Sequence, residues 1–435
     1  MSMGHTNSKR RIARTTVAGA LLVCALRCVG AIGAEPATGD GLRRIEGRYL
    51  TLITDLPTSD EIERLPGLFD QAVPQWVDYF GVEPDRLEGW RLTGHLIKDR
   101  NVFDRAKLLP DRLPTFDHGY SIDYQFWLYD QESDYYRRHL LLHEGAHSFM
   151  NTLLGGCGPP WYMEGIAEHL ATHRIVDGKL QTRWFPTDRD AVPLWGRVRL
   201  VQDAVAAGKR LDIGQVMAIH PGGDRTNLGY AWTWALAAFL DGHPRYQQAF
   251  RKLGRSAAHA GFDERFEAVY AAERSELDLE WSMFADQIDY GYDLQRAAIF
   301  FDPPVAPTTA GKKQVTIAVD RGWQSTGIRL APGQTYELRA SGQFSVAQEP
   351  RPWISEAQGV SIHFYRGRPL GMLLMAIRPD EVGADGDKLF LAPVAVGAGM
   401  RIRPSKGGVV YLKINDSPAK LADNQGALTI EIGQP

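Results

Sequence analysis

The chain of 435 residues is 44% hydrophobic and 23% charged, with a net charge of −3. That length exceeds one ordinary domain, and the near-neutral balance, without any lysine or arginine tract among aromatics, gives no basis for nucleic-acid binding. Two of its three cysteines, Cys24 and Cys28, lie in an N-terminal apolar run. Cys157 is left alone if that run is removed, so no internal disulfide is expected and the fold must rely on its core.

Lys9, Arg10 and Arg11 precede the apolar and small-residue run Ile12 to Ala34. Residues 1–34 read as a secretory signal peptide cut after Ala34, with Arg10 and Arg11 hinting at twin-arginine export. The expected location is periplasmic or extracellular, the other reading being an uncleaved segment kept as a membrane anchor. No later segment is long and apolar enough to span a bilayer.

A small α/β unit comes next. Arg48 to Asp55 is rich in strand formers. Ser59 can cap a helix whose apolar positions include Leu65, Phe69, Val73, Trp76 and Phe80, although Pro66 and Pro74 argue against one unbroken helix. A strand is predicted around Trp90 to Ile97, a short helix around Arg100 to Leu108, and one half-buried strand where Tyr120, Ile122, Tyr124, Phe126 and Leu128 alternate.

The stretch His139 to Glu168 carries the chemistry. Leu142, Ala146, Phe149 and Leu153 recur at helical spacing, and no proline interrupts them. Within this helix His143, Glu144 and His147 form H-E-x-x-H, which puts two imidazoles on one face, close enough to share an ion. Glu144 is turned off that pair and suits a base acting on water. Gly155, Gly156, Pro159 and Pro160 stop the helix. A second begins at Trp161 or Tyr162 and places Glu164 and Glu168 one turn apart. Two neutral imidazoles and one carboxylate around zinc leave a position for water, and the short loop lets Glu164 complete that set. Glu168 reads as an acceptor behind a ligand histidine or as a helix salt bridge.

His143-Glu144-x-x-His147, followed after a Gly/Pro turn by Trp161-Tyr162-Met163-Glu164-Gly165-Ile166-Ala167-Glu168, resembles the glutamate-zincin metallopeptidases, in particular bacterial proteins with a peptidase MA-like domain. The resemblance covers about residues 135 to 240. It implies that His143, His147 and Glu164 hold Zn(2+) and that Glu144 is the general base. It also implies a sheet with an edge strand just before the metal helix, to which a peptide or protein substrate adds as a further strand.

Short helices are predicted at Val198 to Ala207 and Ile213 to His220, a stronger one at Tyr230 to Leu240, and others at Arg245 to Lys252, Phe262 to Ala271 and Ser275 to Phe284. Tyr230 has two readings: it steadies a developing oxyanion, as a distant tyrosine does in related metallopeptidases, or it packs its helix. The proline-rich residues 302–312 form a linker. Beyond it the pattern is all-β, with alternation at Val315, Ile317 and Val319 and at Tyr336, Leu338 and Ala340, and a turn at Ala331-Pro332-Gly333. Further strands are expected at Gly371 to Ile377, Lys388 to Leu391, Gly408 to Ile414 and Ala427 to Ile432, the signature of a sandwich.

Tyr411-Leu412-Lys413-Ile414-Asn415-Asp416 with Asp423-Asn424-Gln425-Gly426 is similar to the calcium-dependent galactose-binding bacterial lectins, over roughly residues 314 to 434. The resemblance implies Ca(2+) ligands at Asp416, Asp423 and Asn424, with main-chain carbonyls near Ser417 and Lys420, and a carbohydrate partner. It departs at Gln343 to Val346, where those lectins place a tyrosine, and the second pair is D-N where theirs is N-N. A purely structural sandwich is the other reading.

The expected fold is therefore multidomain: an α+β zincin-like metallopeptidase domain over 41–301, the linker 302–312, and an all-β, galactose-binding-like sandwich over 313–435. The expected function is zinc-dependent peptide-bond hydrolysis. The alternative is a noncatalytic extracytoplasmic carbohydrate- or surface-binding protein with a structural zincin domain.

Overall fold

A computed structural model describes residues 41–219, 226–301, 311–379 and 386–435. The proposed signal peptide and most of the proposed linker lie outside these residues.

The chain opens with β1 (Arg43–Glu46) and β2 (Leu50–Thr54), which lead into α1 (Asp60–Phe80). Ser59 caps α1 by accepting from the Ile62 N–H at 3.3 Å, and Gly81, at φ 63°, ends it. Contrary to expectation, α1 runs unbroken through Pro66 and Pro74. Each proline costs the helix one hydrogen bond, roughly 3 kcal/mol. Ile62, Leu65, Phe69, Val73 and Trp76 are buried along the same helix, and five such side chains at about 1.5–3 kcal/mol apiece outweigh two prolines.

β3 (Leu92–Ile97), α2 (Arg100–Arg105), β4 (Gly119–Ile122) and β5 (Gln125–Tyr129) complete a five-stranded sheet of order β1-β2-β3-β5-β4. β2, β3 and β5 are parallel, and β1 and β4 are its antiparallel edges. The single strand expected over Tyr120 to Leu128 is thus a hairpin. Asp123, at φ 52°, turns the chain, and Tyr124 is exposed at the tip. Alternation continues across this two-residue turn, which is why periodicity alone could not find it.

α3 (Asp134–Phe149) follows, capped by Ser133, and passes into a π-turn at Met150–Leu154 that Gly155 closes at φ 85°. α4 (Pro160–Ala171) begins with proline at its first position, where the missing N–H costs nothing. Two glycines set how tightly these helices pack. A Cβ at Gly145 would overlap the Phe69 ring of α1, and one at Gly165 would come within 2.5 Å of the Thr233 carbonyl oxygen.

After a hairpin of His173–Val176 with Lys179–Thr182, the helical lobe comprises α5 (Arg197–Ala206), α6 (Ile213–Met217), α7 (Asn227–Gly242), α8 (Gln247–Gly254), α9 (Phe262–Tyr270), α10 (Arg274–Gln287) and α11 (Leu294–Ala297). α6 stops at Met217, and His220, the expected end, lies outside the described residues.

The C-terminal region is β-rich. One sheet orders Gly399–Ile402, Tyr336–Ser341, Ala427–Gly433 and Lys313–Ala318; the other orders Val394–Ala395, Leu373–Pro379, Gly408–Ile414 and Gln324–Leu330. Their inward side chains, among them Ile317, Leu338, Met375, Leu412 and Ile430, form one core. The strand expected at Lys388 to Leu391 is instead part of a short helix, Gly386–Leu391. Its Phe390 meets Trp323 and Tyr411 edge-on, so tertiary packing decides the conformation of a segment too short for its pattern to do so.

The architecture is multidomain α+β with a β-rich C-terminal unit. An apolar cluster joins the units, with Leu279, Met283 and Ile299 against Trp323, Leu374 and Val409. Arg366 pairs with Asp286, and Arg378 donates to Glu276 at 2.7 Å. No helix among the described residues is long and apolar enough to cross a membrane.

Candidate metal centre

α3 and α4 hold the residues singled out by the sequence. His143 and His147, one turn apart on α3, present their Nε2 atoms 3.1 Å from each other. Glu164 Oε2, from the first turns of α4, lies 3.2 Å from His147 Nε2 and 3.4 Å from His143 Nε2. Three ligand atoms of different side chains thus converge on one point and could hold a metal ion. Burial works to raise the Glu164 carboxyl, but the facing His147 and His143 hold it well below the usual carboxylate range. His147 is pulled well above its ordinary value by Glu164 despite its burial. Metal binding at such groups needs their deprotonated forms, so a cation and a proton compete for them.

Glu144 is beside this trio but not in it. Its carboxylate packs under the edge strand β4, where a Cβ on Gly119 would come within 2.5 Å of Glu144 Oε1. Burial pushes this carboxyl up, against the pull of His143 and His147. Gly119, Tyr120 and Ser121 of β4, with Asn151, Met163 and Tyr230, frame a cavity of about 180 Å³ over the site. Tyr230, on the first turn of α7, has its ring 6.2 Å from that of His143. It therefore reaches the cavity as well as belonging to its helix.

Glu168 lies behind this trio. Oε1 faces His143 Nδ1 at 3.4 Å, and Oε2 is 3.1 Å from His139 Nε2. Arg197 grips both carboxylate oxygens, Nε to Oε2 and Nη2 to Oε1, each at 3.1 Å. Burial opposes the charge on Glu168, yet Arg197 and His139 hold its carboxyl well below normal. His139, His143 and Glu168 are close enough to form a second ligand trio, but the guanidinium already neutralises that carboxylate and would repel a cation. Glu168 thus stands as a charge behind the His143 ring, whose Nδ1 makes no hydrogen bond among the described residues. His169 is elsewhere, bonded to Asp241 at 3.0 Å. The Cys157 thiol is directed at Asn151 Oδ1, 3.1 Å away, and at the His147 carbonyl. It is not among the converging ligands.

No protein-family model matches this chain, and no curated protein matches it. Among solved structures, a domain described as "EclA N-terminal domain; PllA-like lectin" is similar to 28% of this chain over 95% of its own length, at 19% identity and a TM-score of 0.22. A likeness so loose carries no inference about binding.

Arg197 escaped the sequence reading. It shares the buried face of α5 with Val201 and Ala204, and a charge at i relative to apolar i+4 and i+7 was the available sign that it needs a buried partner. Gly119 was equally unmarked, because only the approach of Glu144 gives it meaning.

In the C-terminal unit Asp416 and Asn424 are both buried. Asn424 Nδ2 donates to Asp416 Oδ2 at 2.9 Å, and Asp416 Oδ1 accepts from the Ser417 N–H at 2.6 Å. Asp423 adjoins them, its charge acting on Asp416, which burial pushes up to about 6. Asn424 Oδ1 and Asp423 Oδ1 are buried oxygens without a hydrogen-bond donor. Unmatched hard oxygens on one loop fit a hard cation. At Gln343 to Val346 the chain offers Ser345, whose backbone pairs with Gln425 at 3.0 Å in both directions.

Proposed function

We propose that the first unit is a zinc-dependent peptidase of the glutamate-zincin kind, acting on peptides or proteins outside the cytoplasm. The observation that carries this reading is the triangle of His143 Nε2, His147 Nε2 and Glu164 Oε2, with sides of 3.1–3.4 Å. Three ligands about 2.0–2.1 Å from zinc at tetrahedral angles lie roughly 3.3 Å apart, so the residues fit that ion. Zinc bound there would supply Lewis acidity, polarising the scissile carbonyl and making water a nucleophile near neutral pH.

The chain's own residues do the rest. Glu144, buried and next to the trio, takes the proton from the attacking water and returns it to the departing amine. Its raised proton affinity suits a group that must hold the proton between those steps. Tyr230 faces the same cavity and can donate to the oxyanion as it forms. The edge strand β4 can take an extended peptide as a further strand, which would bring the scissile bond beside Glu144 through Gly119 without demanding particular side chains. Glu168, held by Arg197 and His139, stands as a charge behind the His143 ring.

Metal analysis of the purified protein should give about one zinc per chain, and a peptide library should be cleaved. Full occupancy after His147→Ala combined with Glu164→Ala would remove the assignment. For the second unit we propose a calcium site at Asp416, Asp423 and Asn424, supported by the two buried oxygens that lack donors. Calorimetry over millimolar calcium tests it.

A further inference from the structure

The loop carrying Asp416, Asp423 and Asn424 does not face open solvent on all sides. Asp416 and Lys413 line a narrow cavity of about 20 Å³ between the units, with Met283, Gln287 and Ile299 on the helical side and Trp323 on the other. Pro418, two residues after Asp416, accepts from the Asp293 N–H at 3.1 Å. Asp293 in turn caps α11, its Oδ1 accepting from the Gln295 and Arg296 N–H groups at 3.1 and 2.9 Å. Ala419 lies against Gly291. The residues that present the unmatched oxygens and those that touch the helical unit thus belong to one loop, residues 416–424.

That loop holds buried oxygens without donors: Asp423 Oδ1, and Asn424 Oδ1 on a residue only 3% exposed. Lys413 and Lys420 act on the Asp416 and Asp423 carboxylates through space, but neither forms an ion pair with them; the Lys413 ammonium sits over the Trp323 ring at 5.2 Å. A divalent cation accepting oxygens from Asp416, Asp423 and Asn424 would satisfy the orphaned atoms and fix the loop between its two ends.

Building on the calcium reading above, we propose that this cation is an interdomain staple: calcium at Asp416, Asp423 and Asn424 locks residues 416–424 against the 291–297 segment and so fastens the β-rich unit to the helical one. The cation then acts on the joint between the units, beyond any local effect on the sandwich. Because opening the joint would release the loop and its ion, the equilibrium for opening falls by the factor 1 + [Ca]/Kd.

The experiment uses the full-length, zinc-loaded protein. Calorimetry with calcium chloride gives Kd, with magnesium chloride as the comparison ion. Hydrogen exchange is then followed over residues 286–298 and 413–424. At calcium one hundred times Kd, the Asp293-bearing segment should gain up to about 100-fold protection, and magnesium, which resists shedding its waters, should give much less. Asp423→Ala, which removes the side-chain oxygens at a half-buried position and leaves the Asp416–Asn424 hydrogen bond in place, should abolish the gain. Calcium binding that protects 413–424 alone would overturn the staple while leaving the calcium site standing. Absence of both heat and protection at millimolar calcium would overturn the two together.

Discussion

Replacing Arg197 by leucine should expose how far the candidate centre depends on a residue that touches no metal ligand. Glu168 is 2% exposed and Arg197 4%, and the two are joined by two hydrogen bonds of 3.1 Å. Arg197→Leu leaves the carboxylate with His139 and His143 Nδ1 as neighbours and no permanent positive charge. Breaking a buried pair from one side costs about 3–5 kcal/mol, whereas replacing both partners by apolar groups is far cheaper. Arg197→Leu alone should therefore destabilise the metal-free protein by about 3 kcal/mol or more. Glu168→Leu combined with Arg197→Leu should recover at least about 2 kcal/mol relative to the sum of the single changes. The sign with pH follows from the depressed Glu168 carboxyl. Its contribution is complete above the unfolded value, about 4.3, and is lost as pH falls through the lower folded value. The deficit of Arg197→Leu should accordingly be largest near neutrality and shrink in acid. Urea denaturation of the three variants at pH 7 and about pH 3, inside the window between the unfolded and folded values, provides the numbers. A loss under about 1 kcal/mol, or strict additivity, would refute the reasoning.

Gly119→Ala introduces a methyl carbon that would lie only 2.5 Å from Glu144 Oε1. Zinc content should persist while kcat drops at least about tenfold, since displacing a general base forfeits part of its contribution. Unchanged kcat would mean that Glu144 is not held by the strand. His95 is 1% exposed, stacks on Trp127 with ring centroids 4.9 Å apart, and is lowered by burial to about 4. Its neutral folded form means that stability falls as pH drops from about 6.5 to about 4, by up to about 1.4 kcal/mol per pH unit. Imidazole resonances followed by NMR should titrate near pH 4, and a midpoint at about 6 or above would contradict the burial argument.

The metal trio was legible because its chemistry is local: i,i+4 histidines on α3 and a glutamate in the first turns of α4 need only a short Gly/Pro loop to meet. Glu168 could be placed next to the trio for the same reason. Arg197 could not, since its partner is 29 residues away and only the packing of α5 against the rest of the helical lobe brings them together. Strand and helix periods gave most of the elements, and failed where tertiary contacts override them, as in α1 with its two prolines and in the short helix that buries Phe390. The hairpin His173–Val176 with Lys179–Thr182 was readable in principle, because Asp177-Gly178, both at positive φ, is a favoured two-residue turn. Of the expected calcium residues Asp416 and Asn424 do meet, but the position of their loop at the joint between the units depends on contacts such as Asp293 with Pro418, far apart in the chain.

Glu144→Gln tests the central claim most directly. The substitution nearly preserves volume and leaves His143, His147 and Glu164 untouched, but an amide cannot accept the proton. With a peptide first found to be cleaved by the wild-type protein, zinc content should remain at about one per chain while hydrolysis falls by roughly a hundredfold or more. Wild-type hydrolysis by a fully zinc-loaded Glu144→Gln protein would contradict the account.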